Sequence, residues 1–210
     1  MKDASPRAFL TELYEAGQRH DAQEPEHSRK MLNLEPETAQ LLHILVRSSR
    51  RTRLLEIGTS NGYSTIWLAW AVSAMGGRVI SIERDARKQA LADEHLRQVG
   101  LREVVDLMCG DGTEIITGLS GPFDCVFFDA DRFSAPTQLS QLLPKLTPDV
   151  LLLADNVLSH PTEIAGYLQA LAALPNFERV IVPIGKGLSV AYRAAREEEE
   201  GGSVSSELED

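Results

Sequence analysis

Between residue 53 and about residue 175 the chain alternates short, nearly continuous apolar runs with longer amphipathic stretches. The runs at 53–57, 78–82, 104–108, 124–128 and 150–154 predict strands, and the stretches near 63–75, 86–98, 112–118, 134–144 and 161–173 predict helices. Strands that are apolar on both faces and separated by helices imply a parallel sheet covered on both sides. The rhythm breaks at the end. Segments 178–183 and 188–193 are strand-like, but only Ile184-Gly185-Lys186-Gly187 separates them, which is too short for a crossover helix, so they should pair antiparallel. Ahead of the sheet, residues 5–18 predict a helix with Ser5 as N-cap and Pro6 in its first turn. A polar connection is expected over 19–30, and Leu34-Glu35-Pro36-Glu37 opens a second helix reaching about Arg47. The apolar sides of these two helices must be covered by the sheet or by a partner subunit. Pro148 and Pro175 are expected in or beside loops. The chain therefore divides into an N-terminal helical segment (1–50) packing on the core, an α/β core (51–195) and an acidic tail (196–210) expected to be disordered.

Composition narrows the class. With 210 residues and 43% apolar content, one sizeable core is expected. The net charge is −10, but residues 197–210 hold seven acids and no base, so the body is close to neutral. No stripe of Lys and Arg interleaved with aromatics is present, so nucleic acid is not an expected partner. Cys109 and Cys125 lie in apolar contexts and are too few for a disulfide scaffold. No run of 18 apolar residues and no positive N-terminal region with an apolar run after it are found. A cytoplasmic location with no membrane contact is the expectation.

The segment from Arg53 to Thr65 reads as a buried strand, a glycine turn and a helix start, with the spacing Glu56-x-Gly58-x-x-x-Gly62. Such a unit clusters free backbone N–H groups where a small ligand can bind, although an ordinary β-to-α turn has the same pattern. It is neither the GxGxxG fingerprint nor a P-loop, so a nucleoside cofactor without phosphates fits better than a dinucleotide. In open parallel sheets ligands bind beyond the strand carboxyl ends. Glu56, Glu83, Asp111, Asp129 and Asp155-Asn156 all fall at that rim. Glu83, 25 residues after Gly58, suits the two hydroxyls of a ribose or a loop cap. Asp129, Asp155 and Asn156 offer oxygens to a hard cation such as Mg²⁺, or cap helices and form a turn. Trp67 and Trp70, three apart on one helix, suit core packing or the wall of an aromatic site. His160 is a loop histidine near the rim, and Arg29 and Lys30 could meet an anionic acceptor.

Taken in order, Leu55-Glu56-Ile57-Gly58-Thr59-Ser60-Asn61-Gly62-Tyr63-Ser64, Glu83, Phe128-Asp129-Ala130-Asp131 and Asp155-Asn156 closely resemble the cation-dependent O-methyltransferases of the catechol and caffeoyl-CoA type. The match covers about residues 31–193. The resemblance implies a class I methyltransferase fold, an α/β three-layer sandwich with a Rossmann-like, mostly parallel seven-stranded sheet of order 3-2-1-4-5-7-6 and a reversed last strand. It also implies S-adenosylmethionine, Mg²⁺ or another divalent cation, and frequent homodimers. Carried over by position, Glu56, Gly58, Ser60, Gly62 and Ser64 would surround the methionine part of the cofactor, Glu83 would take the ribose hydroxyls, and Gly110-Asp111-Gly112 would lie beside the adenine. Met31 would fall in a segment crossing the cofactor. Asp129 and Ala130 would lie near cofactor and metal, with Asp129, Asp155 and Asn156 as metal ligands. The reaction implied is methyl transfer to a hydroxyl of a small phenolic or catechol-like acceptor, with Asp129 and residue 132 at the chemistry.

Two departures stand out. The family usually carries a lysine three residues after the first metal aspartate, where this chain has Arg132, and an arginine does not act as an ordinary base. Many relatives have an acid between the glycines of Gly185-Lys186-Gly187. Two other classes compete: a cofactor-binding scaffold without catalysis, and a nicotinamide-dependent oxidoreductase, which the missing GxGxxG and the missing Tyr-x-x-x-Lys pair disfavour.

Overall fold

The structure, a computed structural model, describes residues 5–195. The expected disorder of 196–210 lies outside the described residues. Seven strands, β1 (Arg53–Ile57), β2 (Arg78–Glu83), β3 (Val105–Cys109), β4 (Phe123–Phe128), β5 (Leu146–Ala154), β6 (Glu178–Val182) and β7 (Leu188–Arg193), form one sheet. Its order is β3-β2-β1-β4-β5-β7-β6, as the resemblance implies. The first five strands in that order, β3-β2-β1-β4-β5, are mutually parallel, and β7 runs antiparallel to β5 and β6.

Strand alternation builds a separate core on each face of the sheet. Leu54, Val79, Phe127 and Leu153 point to one face, against Leu10 and Leu13 of α1 (Arg7–Gln23), Leu42 and Val46 of α2 (Pro36–Ser48), Ile66 and Leu68 of α3 (Tyr63–Ser73) and Leu96 of α4 (Ala86–Gln98). Their sequence neighbours Leu55, Val126, Phe128 and Leu152 point the other way. They meet Ile116 of α5 (Gly112–Gly118), Leu139 of α6 (Ala135–Leu142) and Ile164 and Tyr167 of α7 (Pro161–Ala172). Burying both faces explains why these strands read as continuous apolar runs. The two N-terminal helices are thus covered within the chain.

Four expectations change. Helix α1 runs on to Gln23, because no proline interrupts it before Pro25 and its one glycine, Gly17, lets Asn33 pack closely. Pro6, not Ser5, occupies its N-cap position. Pro148 lies inside β5 rather than in a loop. The β4–β5 register shifts between Phe123 and Cys125, which leaves Pro148 in a stretch where a missing N–H costs no ladder bond to β4. Cys109 is exposed at the end of β3, whereas Cys125 is buried in β4.

Candidate functional site

The carboxyl ends of β1, β2, β3 and β4, together with the loop after β5, open into one cleft of about 670 Å³. Its floor depends on Gly58. This residue has φ +110°, and its N–H donates to the Ile82 carbonyl at 2.9 Å. A Cβ there would sit 2.3 Å from the Asp129 carbonyl oxygen, so only glycine lets the β1–α3 turn close against the end of β4. Ser60 follows in the left-handed region at φ +47°. Its N–H donates to Glu83 Oε2 at 2.8 Å and its hydroxyl to the Met31 carbonyl at 2.7 Å. Met31, which lines the cleft, is held in place by Asp21 of α1, which accepts the N–H groups of Met31 at 2.7 Å and Leu32 at 2.8 Å.

Glu83 both clamps loops and faces the cleft. Its other oxygen accepts the Asp85 N–H at 2.9 Å, and each oxygen keeps a lone pair for a ligand hydroxyl. Asp111 caps α5 through Thr113 N–H at 2.8 Å and Glu114 N–H at 3.1 Å. With Gly110, Gly112 and Ala130 it lines the cleft wall.

Glu56 and Gly62 are not on that wall. Glu56 is fully buried, facing α3 from the sheet, and accepts hydroxyl hydrogen bonds from Ser64 at 2.6 Å, Thr65 at 2.5 Å and Ser81 at 2.6 Å. Burial raises its pKa, and these three hydroxyls pull it back. Its place is therefore beneath the cleft, orienting Ser64, which does line it. Gly62 starts α3 at φ +89° and packs against Ala92 of α4.

Asp129 and Asp155 end adjacent strands, and Asn156, at φ +67°, donates its side-chain N–H to Asp129 Oδ1 at 3.3 Å. Asp155 is 2% exposed and, unlike Asp129 and Asn156, does not line the cleft; among the described residues neither of its carboxylate oxygens has a hydrogen-bond partner within reach, and the nearby Asn156 N–H only partly offsets its burial. Burial first, and then the Asp155 and Glu56 charges, push the Asp129 carboxyl well above the usual range. Burial pushes Asp155 up to about 6. Two desolvated carboxyl groups, Asp129 and Asp155, and the Asn156 amide oxygen are the oxygen chemistry that could hold a hard cation. Among the described residues no three His, Cys, Asp or Glu side chains gather as a cage, since the third donor is an amide.

The neighbouring charges are paired off. Arg132 donates from Nε and Nη2 to Glu163 Oε2 of α7, each at 2.8 Å. Lys186 Nζ lies 3.2 Å from Glu35 Oε1. His160 lines the cleft, with Ser159 Oγ 2.8 Å from its Nδ1. Trp67 and Trp70 stack around His43 away from the cleft, so they pack rather than recognise. Arg29 pairs with Glu26 at 2.8 Å, and neither it nor Lys30 lines the cleft. Asp21, Glu35 and Glu163 carry no sequence signal, being single acids on or beside helices. Their contribution appears only once distant elements meet.

Strand order, reversed β7 and a cleft at the strand ends define the class I methyltransferase fold. The profile of the O-methyltransferase family matches residues 4–194, and the chain belongs to that family. A catechol O-methyltransferase of Niastella koreensis is 33% identical over 60% of this chain and 59% of its own length. One of Mycobacterium tuberculosis is 31% identical over 57% of this chain and 54% of its own length. The chain thus spans little more than half of these curated relatives. Among solved structures, an O-methyltransferase from Klebsiella pneumoniae, described as putative, superposes with TM-score 0.76 at 27% identity, covering 93% of each chain. The Bacillus cereus O-methyltransferase in complex with SAH does so with TM-score 0.76 at 26% identity, over 89% of this chain and 90% of that one.

Proposed function

We propose that the protein transfers a methyl group from S-adenosylmethionine to a hydroxyl of a small phenolic or catechol-like acceptor, assisted by Mg²⁺ or another divalent cation. The observation that carries the reading is the buried Asp155 carboxylate, which has no hydrogen-bond partner among the described residues and sits next to Asp129 and Asn156, the two residues of this set that line the cleft. Solved relatives bind the cofactor or its product: the Bacillus cereus enzyme is described with SAH and one from Streptomyces achromogenes with SAM. Arg132 and Lys186 each pair with another carboxylate, Glu163 and Glu35, and their charges lower the Asp129 and Asp155 pKa values without overcoming burial. Exposed Leu32 and Phe133 line the same cleft and suit a planar apolar ring.

When bound, the cofactor supplies an electrophilic methyl group and the cation lowers the pKa of a coordinated hydroxyl. The chain does the placing. Gly58 lets the backbone close on the ligand, Glu83 accepts the ribose hydroxyls, Asp111 with its flanking glycines borders the base, and Met31 covers the cleft. Ser64 is set at the methionine end by Glu56. Asp129, Asp155 and Asn156 hold the cation, and holding the two reactants in line accounts for much of the rate.

A non-catalytic scaffold is the rival that Arg132 favours, because its guanidinium is engaged by Glu163 and cannot take a proton. Calorimetric titration with S-adenosylmethionine, followed by product analysis on a phenol panel with Mg²⁺, separates the two. Binding with turnover that Asp155→Ala abolishes supports the enzyme. Binding without turnover on any phenol supports the scaffold. The unpaired thiols of Cys109 and Cys125 suit a reducing, cytoplasmic setting. No helix among the described residues is long and apolar enough to cross a membrane. A homodimer is proposed from the resemblance together with exposed Val180 and Ile181 on the edge strand β6.

A further inference from the structure

We propose that the Lys186 ammonium, at the tip of the β6–β7 hairpin, holds the negative charge of the acceptor's reacting oxygen, a place that Arg132 does not fill. This rests on the phenolic methyl-transfer reading above.

The hairpin tip is fixed to the loop that carries the cation ligands. The Lys186 carbonyl accepts the N–H groups of Leu158 at 2.9 Å and Ser159 at 3.1 Å, and the Gly187 carbonyl accepts that of Val157 at 3.1 Å. These three residues directly follow Asn156. Glycine is required on both sides of the lysine. Gly185 has φ +52° and Gly187 φ +90°, and a Cβ would fall 2.4 Å from Thr38 Oγ1 at the first and 2.4 Å from Leu158 Cγ at the second. The side chain between them is delivered to a defined place rather than waving from a loop.

That place is the cleft. Lys186 lines it together with Asp129, Asn156 and Arg132. The two cations differ in what they have left to give. Arg132 spends its Nε and one Nη on a single carboxylate oxygen at 2.8 Å. Lys186 has one contact among the described residues, at 3.2 Å to Glu35, out of three donors. The acceptor O–H bond breaks, its proton passes to solvent water, and the electron pair stays on oxygen beside the ammonium. Lys186 remains protonated throughout.

The test uses 4-nitrocatechol, whose visible spectrum shifts on ionisation, bound to the full chain with S-adenosylhomocysteine and EDTA so that no divalent ion contributes. The bound catechol should ionise about one pH unit below the free compound, a roughly tenfold change. Lys186→Met and Lys186→Gln should return it to the free value. Lys186→Arg, Arg132→Met and Glu35→Gln should keep the shift. The proposal is overturned if the Met and Gln variants keep the shift, or if Arg132→Met removes it. It is equally overturned if Glu35→Gln removes the shift as fully as Lys186→Met, since the pair would then be structural. Failure of the wild-type chain to bind 4-nitrocatechol both in EDTA and with Mg²⁺ overturns the phenolic reading and this proposal together, whereas failure in EDTA alone, or binding with an unchanged Lys186 variant, overturns this proposal alone.

Discussion

A Cβ placed on Gly58 would stand 2.3 Å from the carbonyl oxygen of Asp129, so the β1–α3 turn and the end of β4 meet backbone to backbone. Gly58→Ala must open that contact and strain a residue at φ +110°. A destabilisation of about 2–5 kcal/mol is expected, combining left-handed strain and overpacking. Urea denaturation measures it. S-adenosylmethionine affinity should fall in the same variant, and unchanged stability would show that the turn has room to relax.

Glu56 gives a pH signature. Its folded-state pKa is raised, mainly by burial, so the folded chain holds this proton more tightly than the unfolded chain, where the value is about 4.3. Its contribution is full below the unfolded pKa and is lost as pH rises through the folded value. The difference in unfolding free energy between wild type and Glu56→Gln should therefore shrink with rising pH across that window. A flat difference would contradict the raised pKa. Glu56→Ala, which strands the hydroxyls of Ser64, Thr65 and Ser81, should cost about 2–4 kcal/mol.

Divalent ions should stabilise the wild-type chain. At about 100 times the dissociation constant the gain is roughly 2.7 kcal/mol, read as a rise in Tm. Asp155→Asn should lose that gain. In EDTA the same variant should be no less stable than wild type, because it removes a buried carboxylate that has no hydrogen-bond partner among the described residues. Equal Mg²⁺ stabilisation of the two would remove Asp155 from the cation site.

Asp21 fastens the cover of the cleft. Asp21→Ala frees the N–H groups of Met31 and Leu32 and should cost about 2 kcal/mol locally, with weaker cofactor binding by roughly tenfold. Hydrogen exchange at those two amides should accelerate, while exchange in β1 and β4 stays slow.

The sheet was legible because each central strand is buried on both faces and so reads as an apolar run, and the short Ile184–Gly187 connection forced the reversed strand. The extent of α1 was not legible, since a polar helix end and a polar loop share a composition. Glu83, Asp129 and Asn156 could be placed at the cleft because they stand at strand carboxyl ends, whereas Asp155, at the same end of the sheet, is buried and does not line it. Glu56 looked like a member of the same rim, yet strand alternation turns it under α3, where three hydroxyls hold it. The pairings of Arg132 with Glu163 and of Lys186 with Glu35 join elements distant in sequence. No spacing along the chain encodes them.

The most direct test of methyl transfer is mass spectrometry of a catechol incubated with the purified chain, S-adenosylmethionine and Mg²⁺. The acceptor should gain the mass of one CH₂ unit, and the gain should vanish with EDTA and with Asp155→Ala while S-adenosylmethionine still binds. An unaltered acceptor across a panel of phenols, with the cofactor bound, would contradict the account.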